Sequence, residues 1–154
     1  MKSNTIQTIL MIFVFSFALA GMLWSADSEL GTWLRTDALG KGMTVKIEVS
    51  GTSGRKLTYQ VLAQNQMVVM IVDSPMDGTD VPVIVSGKPS GMTMAMKRVD
   101  DHHVNSVEKV NGQTFITSKG TFSDDFSTLT VEDEINPAAA GNQPTKQTET
   151  WVRK

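Results

Sequence analysis

Both histidines of the chain stand side by side in KRVDDHHVNSVEK, Lys97 to Lys109, directly behind Asp100 and Asp101. Imidazole beside carboxylate is the raw material of acid–base catalysis and of metal ligation. Adjacent residues on an extended chain point to opposite faces, however, so His102 and His103 cannot share one ion without a special turn. Asp and His tolerate turn backbone, and strand-like runs flank the stretch, so a solvated hairpin turn is expected here. A second candidate is MTMAM, in which Met92, Met94 and Met96 share one strand face roughly 7 Å apart. Such thioethers suit a soft ion such as Cu(I), and they equally suit an apolar lining, because methionine fills irregular apolar space. DSPMDGTD, Asp73 to Asp80, departs from the alternate-residue carboxylate series of a calcium loop and reads as a turn. No metal and no cofactor are expected at these positions.

The remaining inventory excludes more than it offers. The chain has no cysteine, which removes disulfides, thiolate metal sites and a cysteine nucleophile. There is no Gly-x-Ser-x-Gly and no phosphate-cradling loop, so a nucleophile, base and orienting group cannot be assembled from named residues, and no enzyme is expected. A net charge of −2 with mixed signs offers no basic field, so no nucleic-acid partner is expected.

The N-terminal segment reads as an address. Lys2 precedes the apolar run ILMIFVFSFALAGMLW, Ile9 to Trp24, which ends in polar SADSE. The run falls short of the roughly 20 residues that span a bilayer, and Ala18-Leu19-Ala20 supplies small-x-small before a cleavage point after Ala20. Residues 1–26 are therefore expected to be a signal peptide, with cleavage near Ser25 or Ala26 and an uncleaved anchor as alternatives. Residues 27–154 are expected to form one domain, periplasmic or secreted, with no stable membrane insertion after cleavage.

The elements that must position any site are strands. TVKIEV alternates polar with apolar, KLTYQVL puts Leu57, Tyr59 and Val61 on one face, and the pattern recurs from Gln66 to Val72, Val81 to Val85, Met92 to Lys97, Val104 to Val110, Gln113 to Ser118, Ser127 to Ile135 and Lys146 to Arg153. Asn111-Gly112 between two such runs is a strong short hairpin signal. Nine or ten short strands at regular spacing predict an all-β antiparallel up-and-down barrel of about 8–10 strands, since closure removes exposed sheet edges. The stretch NPAAAGNQPT, Asn136 to Thr145, is expected to be a long loop.

LGTWLRT, Leu30 to Thr36, resembles the Gly-x-Trp opening of lipocalin-like (calycin) barrels. Asp77-Gly78 with Pro82-Val83, Lys97-Arg98-Val99-Asp100 and Trp151-Val152-Arg153 extend the resemblance to small exported bacterial lipocalin-like proteins, in order along nearly the whole mature chain. The resemblance implies structural roles for Gly31, Trp33 and Arg153, with the Trp33 indole plugging one end and the Arg153 guanidinium lying over it.

Within such a barrel Tyr59, Met70, Met92, Met94, Met96 and Phe115 are expected to face one interior. Three functions follow: a module binding a small apolar ligand, a structural or interaction barrel with a filled core, and a periplasmic Cu(I) binder through Met92, Met94 and Met96. Asp133 shares a strand face with Leu129, Val131 and Ile135, which would bury a carboxylate and calls for a basic partner such as Arg98.

Overall fold

The computed structural model describes residues 28–137 and 145–154. The expected signal segment, its expected cleavage position and most of the expected loop after Asn136 lie outside these residues. Among the described residues there are ten strands: β1 (Gly31–Arg35), β2 (Thr44–Ser50), β3 (Gly54–Ala63), β4 (Gln66–Ser74), β5 (Asp77–Val85), β6 (Lys88–Arg98), β7 (His103–Val110), β8 (Gln113–Phe122), β9 (Thr128–Ile135) and β10 (Thr145–Arg153). Each pairs antiparallel with its sequence neighbour, and β1 pairs with β10 to close an up-and-down barrel, as the strand spacing predicts.

The turns explain the register. Asn111 and Gly112 both have positive φ, 51° and 79°, the geometry of a tight hairpin whose twist matches its strands. Gln64 and Asn65 (49° and 61°) and Ser86 and Gly87 (47° and 82°) form the same kind of turn at the same end of the barrel. That end also receives the β1–β2 and β9–β10 connections and is called the far end below.

The opposite end is plugged. Trp33 is fully buried, its ring 5.4 Å from that of Phe122, and its indole Nε1 donates to the Glu29 carbonyl at 2.9 Å. The Arg153 guanidinium lies 5.5 Å from the indole centroid and donates to the carbonyls of Ser28 and Leu30, joining the last strand to the start of the first. Gly31 carries φ = 131°, in the region that side chains disfavour, so glycine is required where the chain bends into β1.

The paired histidines sit at this end, in the β6–β7 turn. One Asp100 carboxylate oxygen accepts from the amides of His102 (2.8 Å) and His103 (2.9 Å), which fixes the turn. The rings diverge: His103 is exposed with Nδ1 2.8 Å from Asp100, while His102 stacks on Phe126 at 4.7 Å. His103 thus serves the turn and His102 packs, its Nδ1 buried without a hydrogen-bond partner among the described residues.

Candidate functional site

Closure leaves a cavity of about 350 Å3 inside the barrel. Its lining follows from the period-two alternation of ten strands, and it divides into two unlike walls. From β3 to β6 the inward positions are apolar apart from Arg55 and Arg98 near the Trp33 end, with Leu57 and Tyr59 on β3, Met70 and Val72 on β4, and Met92, Met94 and Met96 on β6. From β7 through β10 to β1 they are mixed, with Ser106, Glu108, Ser118, Asp133, Gln147, Glu149 and Arg35 interspersed among Val104, Ile116, Phe122, Leu129, Val131 and Trp151; the polar members of this side are called the polar wall below. The seam between the walls is the β6–β7 pairing, where Met94 stands opposite Glu108.

Five of the residues expected to face the interior do so: Tyr59, Met70, Met92, Met94 and Met96 line the cavity. Phe115 is the correction. The β7–β8 register slips there, Glu108 pairing with Ile116 and Lys109 with Thr114, and the bulge leaves Phe115 unpaired while Ile116 and Ser118 take the inward positions.

Two charged centres border the cavity. At the Trp33 end, the buried Glu29 carboxylate receives Arg55 Nε at 2.6 Å and an Arg98 guanidinium nitrogen. Burial alone would raise this acid; a backbone hydrogen bond and the two arginines outweigh it and hold the carboxyl below its ordinary range. Arg98 is thus committed here, away from Asp133, whose partner is instead the Gln147 side-chain amide at 2.9 Å. Asp133 is buried as its face predicts, and a neutral amide serves it where a basic residue was expected.

The second centre lies in the far half. Arg35, itself buried, binds Asp37 through Nε at 2.6 Å and Glu149 through Nη1 at 2.6 Å. Its stem occupies the space beside Gly40, where a Cβ would lie 2.0 Å from Arg35 Cδ. The Arg35 hydrogen bond holds Asp37 down at about 2. Glu149 also accepts from Trp151 Nε1 at 2.9 Å, yet burial and the charge of Asp133 raise its carboxyl. Glu108 has no hydrogen bond or ion pair among the described residues, and burial, with the charges of Asp133 and Glu149, pushes it up to about 7. The Tyr59 hydroxyl is likewise unpartnered among the described residues; the ring is enclosed by the barrel, and burial first, then Glu108, raises the phenol well above its ordinary range. Its accessible surface faces the cavity.

The polar wall is the part that inspection of the sequence passed over. VNSVEKV shows valines at a spacing of three, which hides that Val104, Ser106 and Glu108 form the inward row. Parity counted from Trp151 identifies Glu149 and Gln147, and parity from Trp33 identifies Arg35.

The chain matches no family model, no curated protein and no solved structure. The closed, all-antiparallel barrel is compatible with a lipocalin-like architecture.

Proposed function

We propose that this chain is an exported, lipocalin-like barrel that binds a small apolar ligand in its interior. The observation that carries this reading is the cavity of about 350 Å3, which is within the range of small-molecule sites and is walled on one side by Tyr59, Met70, Met92, Met94 and Met96. A self-filled barrel would have these side chains interdigitated with the facing wall. Of the large exposed apolar side chains among the described residues, Leu39 in the β1–β2 connection, Leu62 and Met67 beside the β3–β4 turn, and Val110 beside the β7–β8 turn lie at the far end, against Val49 and Val99 at the other. The former favour the far end as the ligand's route. Charged outward positions such as Lys46, Glu132 and Glu134 suit a barrel surrounded by water.

Octanol titrated into the purified protein in a calorimeter tests the reading. Saturable binding near one equivalent is expected, and heat of dilution alone would refute it. For the export half, N-terminal sequencing of the protein recovered from cells expressing the full chain should read from Gly21; retention in carbonate-washed membranes would favour the uncleaved anchor.

A further inference from the structure

The cavity's two walls differ in a way that an apolar ligand alone leaves unexplained. Three carboxylates, Glu108, Asp133 and Glu149, line the polar wall, and the cation facing them there is Arg35, already bound to Asp37 and Glu149. Asp133 has only a neutral amide, and Glu108 has no partner among the described residues. The Tyr59 hydroxyl adds an unpartnered polar group from the opposite wall. Buried polar groups are ordinarily hydrogen-bonded, and buried charges are ordinarily paired. Among the described residues no three acidic or imidazole side chains are grouped as a metal site.

We infer that the ligand is a small amphiphilic amine, its ammonium group on Glu108 within the field of Asp133 and Glu149 and its apolar body against the methionines of β4 and β6. This rests on the binding function proposed above and names its ligand class. An ammonium supplies three hydrogen-bond donors and one positive charge, which is what the polar wall lacks. Glu108 and Met94 stand opposite each other on adjacent strands, so head and body meet at the seam.

The same arrangement sets a pH dependence. Across the cavity from Glu108 stand Asp133 on β9, Glu149 on β10, Arg35 on β1, itself paired with Asp37 in the following connection, and Tyr59 on β3, while its β6 and β8 neighbours offer Met92, Met94, Ile116 and Ser118. An empty cavity keeps Glu108 largely protonated below about pH 7, and an alkylammonium stays charged to roughly pH 10. Binding should therefore tighten from pH 5 to pH 8.

The experiment compares octylamine, octanol and octanoate by calorimetry on the purified protein, with Glu108→Gln alongside and circular dichroism confirming that the variant folds. At pH 8 octylamine should bind at least about tenfold more tightly than octanol, and octanoate weakest, as a charge-assisted hydrogen bond in a buried site predicts. The amine-to-octanol ratio should shrink at pH 5 and fall by about tenfold in Glu108→Gln. If octanol binds and octylamine binds no better, the amine inference fails and apolar binding stands. If neither binds, both fail. A ratio that survives Glu108→Gln would remove the polar wall from recognition and overturn the inference as well.

Discussion

Glu29 and Glu108 are both acids turned toward one barrel interior, and their surroundings have opposite consequences. Glu29 sits between two arginines beside the Trp33 plug, and its carboxyl is held below its ordinary range. Glu108 sits in the far half among other acids, and burial with their charges pushes it up to about 7. A buried charge stabilises a fold when its partners are built in; without them it is a cost that a protonation event or a ligand can relieve. Glu29 at the Trp33 end thus has its counter-charges built in, whereas Glu108 in the far half does not.

The contrast breaks most severely at the plug. Trp33→Ala should cost about 3–5 kcal/mol, because it empties the space that seals the barrel and removes the ring under Arg153. Urea unfolding measures it, and an unchanged midpoint would deny the plug its structural role. Glu29→Gln should cost about 2–4 kcal/mol, since Arg55 and Arg98 would face each other without a counter-charge. The same unfolding experiment reads it, and a loss below about 0.5 kcal/mol would mean that the arginines are satisfied by solvent.

Glu108→Gln should act in the other direction. The acid's folded value of about 7 lies above its ordinary 4.5, so the folded state keeps the proton longer than the unfolded chain does. Its contribution is fully present below pH 4.5 and is lost as pH rises through 7, at up to about 1.4 kcal/mol for each pH unit. The variant should therefore be more stable than the native chain by about 3 kcal/mol at pH 8 and equal to it near pH 4. Melting curves across that range decide the matter, and a variant destabilised at pH 8 would show that Glu108 is paired after all. The smallest effect is expected from Met94→Lys. The new ammonium would stand opposite Glu108, so the change should cost under about 1.5 kcal/mol at pH 8, less than a charge in an apolar core, while competing with octylamine for its place. Unfolding with wholesale loss of structure would show that the two walls do not meet as described.

The apolar half of this design was legible in the sequence. Alternation over Thr44–Val49 and Lys56–Leu62, with Asn111-Gly112 between two runs, was enough for an antiparallel barrel, and Met92, Met94 and Met96 announced their shared face. The polar half was less legible because inward polar residues break the pattern by which inward faces are recognised. Asp133 stood out only because Leu129, Val131 and Ile135 flank it on the same parity, and its partner was misjudged because pairing between β9 and β10 cannot be read from local sequence. Glu108 gave no such sign among unevenly spaced valines. Phe115 was misassigned for a related reason: one bulge residue reverses the facing of the residues beyond it, and nothing in QTFITS marks it.

The strand order also governs how the barrel comes together in time. Among the described strands every pairing but one joins neighbours in the sequence, so hairpins from β1 to β10 can form from short loop closures. The exception joins β1 to β10, aligning Trp33 with Arg153 and Arg35 with Trp151. Its loop-closure entropy falls due only once the other strands are in place, and Arg153 on the Ser28 and Leu30 carbonyls is the clasp. Until that clasp shuts, Trp33 has neither its cation nor its full enclosure, and β1 and β10 each keep an open edge; the most aggregation-prone species of this protein is a ten-strand sheet awaiting its seam.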